Sequence, residues 1–411
     1  MPRLEITELG GGGAGVAHHE GKVWFVRGAL PGELVEAAEE RQRAGIVEAR
    51  AVAVERSSPW REPDFCPVAC ECGGCDLAHV RRESVPEVLR AIVRGALRHA
   101  LPELAAAVDA APVEASPLGW RLRARLHWDP RQRRLGFLGH RSHRVVDISP
   151  CRVLGPRLSA ARAELSRALG GAGCREGEVD WIENLDGTQS VAAWLGPGRV
   201  PHGPVAGLDG WHPLDAGGWT RAAGWGASSV RMELPVPLDV PVGAFFQGNR
   251  HLTPRLFARI AAIVAELRPE RVVDLYGGVG LLAAAARHAG VGDLVVVESH
   301  GPAAAAAARN LPGAFVDAGS AERFFGEPGA ASATLALVDP PRTGLSRAAR
   351  SGLLEWHPRA VVLLSCDPAA GGRDLGALVG AGYRLAGLEL WDLFAGSHHV
   401  EMVAILVGSG G

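Results

Sequence analysis

The spacing of apolar residues changes character along this chain, and each change predicts a different kind of element. Up to about residue 55, short runs such as Leu4-Glu5-Ile6, Val23-Trp24-Phe25-Val26 and Leu34-Val35-Glu36-Ala37 are broken by Gly10 to Gly13, Gly21 and Pro31-Gly32. Runs bounded by turn residues read as strands. Several at this spacing predict a small closed barrel of the OB type, a shape that commonly binds oligonucleotides. Over residues 84 to 109, Val85, Val88, Leu89, Ile92, Val93, Leu97 and Leu101 recur at helical spacing. From about 112 to 240 the pattern is strand-rich and punctuated by Gly, Pro and Trp, with a helical insertion near 156 to 169.

After Gly243 strands and helices alternate. Helix Leu256 to Leu267 leads to strand Arg271 to Tyr276, helix Leu281 to His288, strand Leu294 to Glu298 and a helix through Ala303 to Asn310. Further strands are expected at Leu335 to Asp339, Val361 to Cys366, Arg384 to Leu390 and Val400 to Val407. Alternating units predict a largely parallel, doubly wound sheet, with the last two strands as an antiparallel hairpin at one edge.

In such sheets ligands bind beyond the carboxyl ends of the strands, and four of those ends carry chemistry. Asp274-Leu275-Tyr276-Gly277-Gly278-Val279-Gly280 turns sharply into a helix, where glycines admit a ligand close to the backbone. Glu298 closes the next strand, placed to accept hydrogen bonds from a ribose. The pair fits a dinucleotide or S-adenosylmethionine about equally, although the spacing is not G-x-G-x-x-G. Asp339-Pro340-Pro341-Arg342 forms a rigid loop, because two prolines fix φ and remove two donors. Val361 to Leu364 run into Ser365-Cys366-Asp367-Pro368, so Cys366 stands where a buried strand stops. By itself it reads either as a packed thiol or as a nucleophile.

The chain has 411 residues, 47% of them hydrophobic and 21% charged, and a net charge of −2. No apolar run is long enough to span a bilayer, and Met1 to Ile6 has no signal-peptide pattern, so the cytoplasm is the default location. There, cysteines serve metals or catalysis more often than disulfides. Cys66, Cys70, Cys72 and Cys75 lie within ten residues, and thiolates so close call for a metal to neutralise them. Cys66, Cys72 and Cys75 make C-x5-C-x2-C, and Cys151 offers a distant fourth ligand, which leaves Cys70 spare. Zinc, an iron–sulfur cluster or a redox dithiol all remain open on spacing. Residues 120 to 144 carry eight arginines against Asp129, interleaved with Trp120, Trp128 and Phe137, a composition suited to phosphate contact and base stacking.

Asp339-Pro340-Pro341-Arg342, Ser365-Cys366-Asp367-Pro368, Arg373-Asp374-Leu375, His399-Val400-Glu401 and Phe245-Phe246-Gln247-Gly248-Asn249 together resemble the RNA 5-methyluridine (uracil-C5) methyltransferase family. The cysteine spacing and the N-terminal glycine-rich stretch resemble its 23S ribosomal-RNA branch, which carries a TRAM domain and a 4Fe–4S cluster. The resemblance implies a class I (Rossmann-like) methyltransferase domain over 241–411, an OB-like TRAM barrel over 1–55 and a mixed, strand-rich iron–sulfur domain over 56–240. The helix over 84–109 is free in that scheme to pack on the catalytic domain. It also implies that Cys366 is the nucleophile and Glu401 the general base. Gln247, Tyr276, Gly278, Gly280, Glu298 and Asp339 become contacts to S-adenosylmethionine, and Cys66, Cys72, Cys75 and Cys151 the cluster ligands. Gly277, Leu281, Ser320, Asp367, Ala370 and Ala395-Gly396-Ser397 depart from the family pattern.

The reaction so implied is methylation of uridine C5 in RNA, 23S ribosomal RNA first. A tRNA substrate and an idle iron–sulfur RNA-binding protein are the alternatives. C5 of uracil is a poor nucleophile until a thiolate adds at C6. A base must afterwards remove the C5 proton, and a stacked base must first be flipped out. RNA is the expected partner, with no membrane, no obligate protein partner and a monomeric chain. His398 and His399, beside Glu401, are expected to pack or hydrogen-bond rather than to catalyse.

Overall fold

In the computed structural model, which describes residues 1–98, 101–198, 200–201, 203–221, 224–325 and 334–408, alternation decides which side of each early strand is buried. Leu4, Ile6, Ala17, Trp24, Val26, Val35, Ala37, Val47 and Ala49 share one core. Their strands form a six-stranded sheet in the order Arg3–Glu5, Leu34–Arg43, Ile46–Arg56, Lys22–Arg27, Gly15–His19, Glu8–Leu9. Ile46–Arg56, the longest of them, was not legible from its pattern. Its inward residues Val47, Ala49 and Ala51 are small, and Glu48 and Arg50 separate them.

The helical stretch over 84–109 is not continuous. Helix Val85–Leu97 is followed by a 3-10 turn, Pro102–Leu104, and a short helix, Ala105–Ala110. Proline at 102 has no N–H to continue a helical ladder, so a new start is made there. The periodic face Val85, Val88, Leu89, Ile92, Val93 and Leu97 packs into the core of the C-terminal sheet. Leu97 comes so close to helix Pro368–Gly380 that a Cβ at Gly372 would sit 2.2 Å from its Cδ2.

A seven-stranded sheet follows, ordered Val145–Val146, Arg134–Leu138, Arg123–Asp129, Gly177–Glu183, Ser190–Leu195, Gly210–Pro213, Trp225–Gly226, with helix Pro156–Gly171 against it. Here the structure corrects the expectation of base-stacking aromatics. Trp120 and Trp128 are 2% and 1% exposed. In strand Arg123–Asp129, residues 124, 126 and 128 point inward, and only the intervening ones reach outside. Several arginines of the segment are also engaged. Arg123 and Arg125 both donate to the buried Asp180 (2.7 and 3.1 Å), Arg141 pairs with Glu48, and Arg144 pairs with Glu71 at 2.8 Å.

The C-terminal sheet has eight strands, ordered Phe315–Asp317, Asp293–Val297, Arg271–Leu275, Thr334–Val338, Ala360–Ser365, Glu401–Val407, Arg384–Trp391, Val113–Glu114. The first five are parallel; Glu401–Val407 inserts antiparallel between Ala360–Ser365 and Arg384–Trp391. The C-terminal hairpin therefore lies toward one side, but the outermost strand there is Val113–Glu114, drawn from far earlier in the chain. Branched apolar residues on both faces of the central strands, Val272, Val273, Leu335, Leu337, Val361 and Val362 among them, are sealed by helices on either side, as parallel sheets require.

Candidate active site

The strand ends fall where the chemistry-bearing residues begin. Strand Thr334–Val338 stops before Asp339, Ala360–Ser365 stops before Cys366, and Arg271–Leu275 stops before Tyr276. The antiparallel register pairs Ser365 with Met402 and Ala360 with Val407. One step beyond the last paired residues, the same register would put Cys366 opposite Glu401, and the Glu401 charge acts on the Cys366 thiol. Opposed residues in such a pair carry their Cβ atoms about 5 Å apart. Thirty-five positions separate the two in sequence, and the insertion of the last strand brings them face to face.

Glu401 is 1% exposed, and its Oε1 has no hydrogen-bond partner. Burial, and then the nearby charge of Asp339, hold its carboxyl well above the usual carboxylate range. Burial likewise pushes Asp339 up to about 6, even though Gln247 Nε2 donates to its Oδ2 at 2.9 Å. Burial, with the charges of Glu401 and Asp339 beside it, pushes the Cys366 thiol up to about 12; the Arg342 charge acts in the opposite direction. Gathering three acids in one place, with so little positive charge, costs free energy. Such clusters of perturbed groups mark functional sites more often than structural ones.

Next to them, Phe245, Gln247, Asp274, Tyr276, Gly278 and Asp339 line one pocket. The turn that shapes it runs through the left-handed region, with φ of +60° at Tyr276, +57° at Gly278 and +94° at Gly280. Tyrosine rarely adopts that conformation, and strain of this kind concentrates at ligand clamps. Glu298 accepts from the amides of Gly278 (2.9 Å) and His300 (2.5 Å), which fixes its carboxylate at the rim of the turn. Asp274, which the sequence reading did not single out, is fully buried. Its Oδ2 accepts from Ala283 N, its Oδ1 has no partner, and burial raises it to about 8. Its position at the end of the first strand was the available signal.

The four cysteines expected as ligands also come together. Cys66, Cys72, Cys75 and Cys151 line a single enclosed pocket with Val68, Phe137, Ile148 and Val153, while Cys70 is exposed outside it. Cys174 is elsewhere, buried in the core of the central sheet. Burial raises the Cys66 and Cys72 thiols, and Cys75 reaches about 12. The Arg121 guanidinium stands beside them, 4.7 Å from the Trp120 ring and 5.1 Å from that of Phe137. Among the described residues no group of three or more His, Cys, Asp or Glu is disposed to hold a single metal ion.

Comparison with known proteins adds the family. Residues 3–52 match the TRAM domain model. The chain is 31% identical to the 23S rRNA (uracil(1939)-C(5))-methyltransferase RlmD of Pseudomonas putida, over 98% of this chain and 93% of that one. It is 32% identical to the enzyme of the same name from Pseudomonas aeruginosa, with the same coverage. This chain belongs to the RNA uracil-C5 methyltransferase family. Its fold is shared with the Pyrococcus abyssi tRNA (uracil-54, C5)-methyltransferase, solved with S-adenosyl-L-homocysteine, at a TM-score of 0.74 and 23% identity over 98% of this chain and 99% of that one. The fold is thus that of an S-adenosylmethionine-dependent methyltransferase preceded by a TRAM domain.

Several departures from the family pattern have a local explanation. Asp367, in place of the usual Asn, caps helix Pro368–Gly380 by accepting from Ala370 N at 2.8 Å, a task either residue performs. Ser320 caps helix Ala321–Phe324, accepting from Arg323 N. Arg373-Asp374-Leu375 is architectural. Asp374 is buried and accepts from Leu345 N and Arg350 Nη1, which anchors the loop following Pro340-Pro341.

Proposed function

We propose that the chain methylates C5 of uridine in 23S ribosomal RNA, with Cys366 as nucleophile and Glu401 as base. The observation that carries this reading is the register that sets Cys366 across from Glu401 at the edge of the pocket lined by Gln247, Tyr276 and Asp339. S-adenosylmethionine supplies an electrophilic methyl group when bound; Gln247, Tyr276, Gly278, Gly280, Glu298 and Asp339 would hold it. The unpartnered oxygens of Asp274 and Glu401 fit a site that a ligand and a flipped base complete.

The chemistry the residues perform follows from their charges. Cys366, once ionised, adds through Sγ to C6 of uracil, and the C5=C6 pair moves toward C5 and O4. That makes C5 nucleophilic. With C5 methylated, the Glu401 carboxylate takes the C5 proton, C5=C6 re-forms and the thiolate is expelled. A carboxyl held well above its usual range is a strong base once it loses its proton, which suits abstraction from carbon.

The choice of ribosomal RNA rests on full-length relatives bearing that name; the tRNA enzyme is the more distant match. The TRAM segment, read as an OB-like barrel over 1–55, would hold RNA beside a central domain over 56–240 and a catalytic domain over 241–411. The four cysteines at one largely apolar pocket are the donor set of a 4Fe–4S cluster, and we assign Cys66, Cys72, Cys75 and Cys151 as its ligands. Absorption near ~400 nm, bleached on reduction, separates a cluster from colourless zinc. No helix among the described residues is long and apolar enough to cross a membrane, and we take the protein as a cytoplasmic monomer.

The decisive experiment mixes RNA and S-adenosylmethionine with the Glu401→Gln variant. A protein–RNA adduct that survives denaturation should accumulate while product formation falls by ~1,000-fold or more. Adding Cys366→Ala should abolish the adduct. Normal turnover without an adduct would sink the assignment. Mapping 5-methyluridine in the ribosomal and transfer RNA of cells lacking the chain decides the substrate.

A further inference from the structure

The segment between Trp391 and Glu401 ends on the proposed base, and it is held by residues from far earlier in the chain. Asn249 donates to the carbonyls of Asp392 and Leu393 (3.3 and 3.2 Å), and Trp120 Nε1 donates to that of Ala395 at 3.0 Å. At its start, Asp392 N donates to Glu114 O at 2.9 Å, and Ser116 N and Arg82 donate to Asp392 Oδ2; at its far end the ties come from the cysteine segment. Leu77 N donates to Gly396 O at 2.9 Å. Asp76, directly after Cys75, accepts from the His398 amide at 2.9 Å, and its other oxygen pairs with His398 Nδ1. Gly396 has a φ of +88°, and a Cβ there would lie 2.9 Å from Phe65 and 3.5 Å from the Cys75 sulfur. From the TRAM side, a Cβ on Gly13 would sit 2.5 Å from that of His398.

Glu401 is three residues beyond His398. None of its own hydrogen bonds orients its Oε1, so its aim depends on the backbone that leads into the strand. On one side the register with Ser365 and Trp391 fixes that backbone. On the other side the fixed point is His398, gripped at both its amide and its ring by a single carboxylate. We propose that Asp76 is a positioning residue for the second half of the reaction: through His398 it sets the approach of the strand that aims Glu401 at the C5 proton. The proposal rests on Glu401 being the base. It gives the cysteine segment a catalytic consequence, transmitted by one side-chain pair between residues 322 positions apart.

Because Cys366 sits on a different strand end, it should add to C6 without Asp76. A misaimed base slows only the elimination. Asp76→Ala should therefore show a standing population of covalent RNA adduct during turnover, with product formation lowered ~10- to 100-fold, the scale set by a misplacement of about 1 Å. S-adenosylhomocysteine affinity should be unchanged. Asp76→Asn should recover most of the rate, since its oxygen still accepts from the His398 amide. His398→Ala, which leaves the cysteine segment intact, should reproduce the adduct if Asp76→Ala fails to fold. Iron content and the unfolding midpoint, measured alongside, report on the cysteine pocket itself. Wild-type turnover in Asp76→Ala or His398→Ala would overturn the proposal. So would a parallel loss of adduct and product. Glu401→Gln run beside them separates the two readings. No adduct there removes the base assignment, and the proposal with it. An adduct in Glu401→Gln that is missing from the Asp76 and His398 variants removes this proposal alone.

Discussion

Glu33 and Glu401 are both sealed from solvent, at 0% and 1% exposure, and their surroundings are opposite. Glu33, in the TRAM domain, accepts from Leu30 N at 2.8 Å, Ser58 N at 3.2 Å and the Arg61 guanidinium at 2.5 and 2.9 Å. Burial alone would raise its carboxyl, but these donors outweigh it, and it ends below the usual range. Glu401 has burial and a neighbouring acid, and an oxygen with no donor; its carboxyl ends well above the range. The same residue type at the same depth is a structural keystone in one place and the proposed base in the other. Depth says that a group matters, and its partners say for what.

Removing the charge at Glu33 should have the larger effect on stability. Glu33→Gln leaves Arg61, whose side chain is only 19% exposed, against a neutral partner; breaking one partner of a fully buried pair typically costs ~3–5 kcal/mol, and a loss at the lower end of that range is expected here. The sign of the pH dependence follows from a folded value below the unfolded one. The contribution is present above the unfolded pKa and disappears as pH falls through the folded value. Chemical denaturation of Glu33→Gln should thus show its full deficit at neutral pH and a shrinking one in acid. A variant as stable as the parent at pH 7 would mean that the four donors are not what holds this corner.

Glu401→Gln should do the reverse, and by less. Its folded value lies above the unfolded one, so its stabilising share is complete below the unfolded pKa and is lost as pH rises toward the folded value. The parent then loses ~1.4 kcal/mol per pH unit over that window, and the Gln variant does not. The two proteins should be closest in stability in acid, with the variant ahead at neutral pH. Asp339, itself raised to about 6, titrates in the same window in both. Together with the trapped adduct, a variant that is more stable and inactive is what a catalytic group held at a cost should give.

These contrasts also show where the sequence was informative. Cys366 and Asp339 were legible because an apolar run closed by Pro368 or Pro340 marks a strand end without knowledge of the fold. Their pairing with Glu401 was legible only through family resemblance, since it depends on the last strand inserting between two others. The Asp76–His398 pair carries no local signal, because its partners lie 322 positions apart in the chain. Trp128 was misread for a definite reason. A strand shows one face to water and the other to the core, and eight arginines in the segment drew attention to the outer face alone.

The smallest effect sets the baseline against which the two glutamates are judged. Glu5, paired across the sheet with Leu34 directly after Glu33, also meets an arginine, with Arg56 Nη2 at 2.6 Å, a shorter contact than most of those around Glu33. Both side chains are more than half exposed, at 67% and 56%. Water screens the pair and already satisfies either partner alone, so Glu5→Ala should shift stability by less than ~0.5 kcal/mol, with the difference fading in salt. A larger loss would mean that distance, rather than desolvation, governs these carboxylates, and the contrast between Glu33 and Glu401 would lose its basis. A negligible one leaves burial with donors, and burial without them, as the two conditions that give a carboxylate on this chain its role.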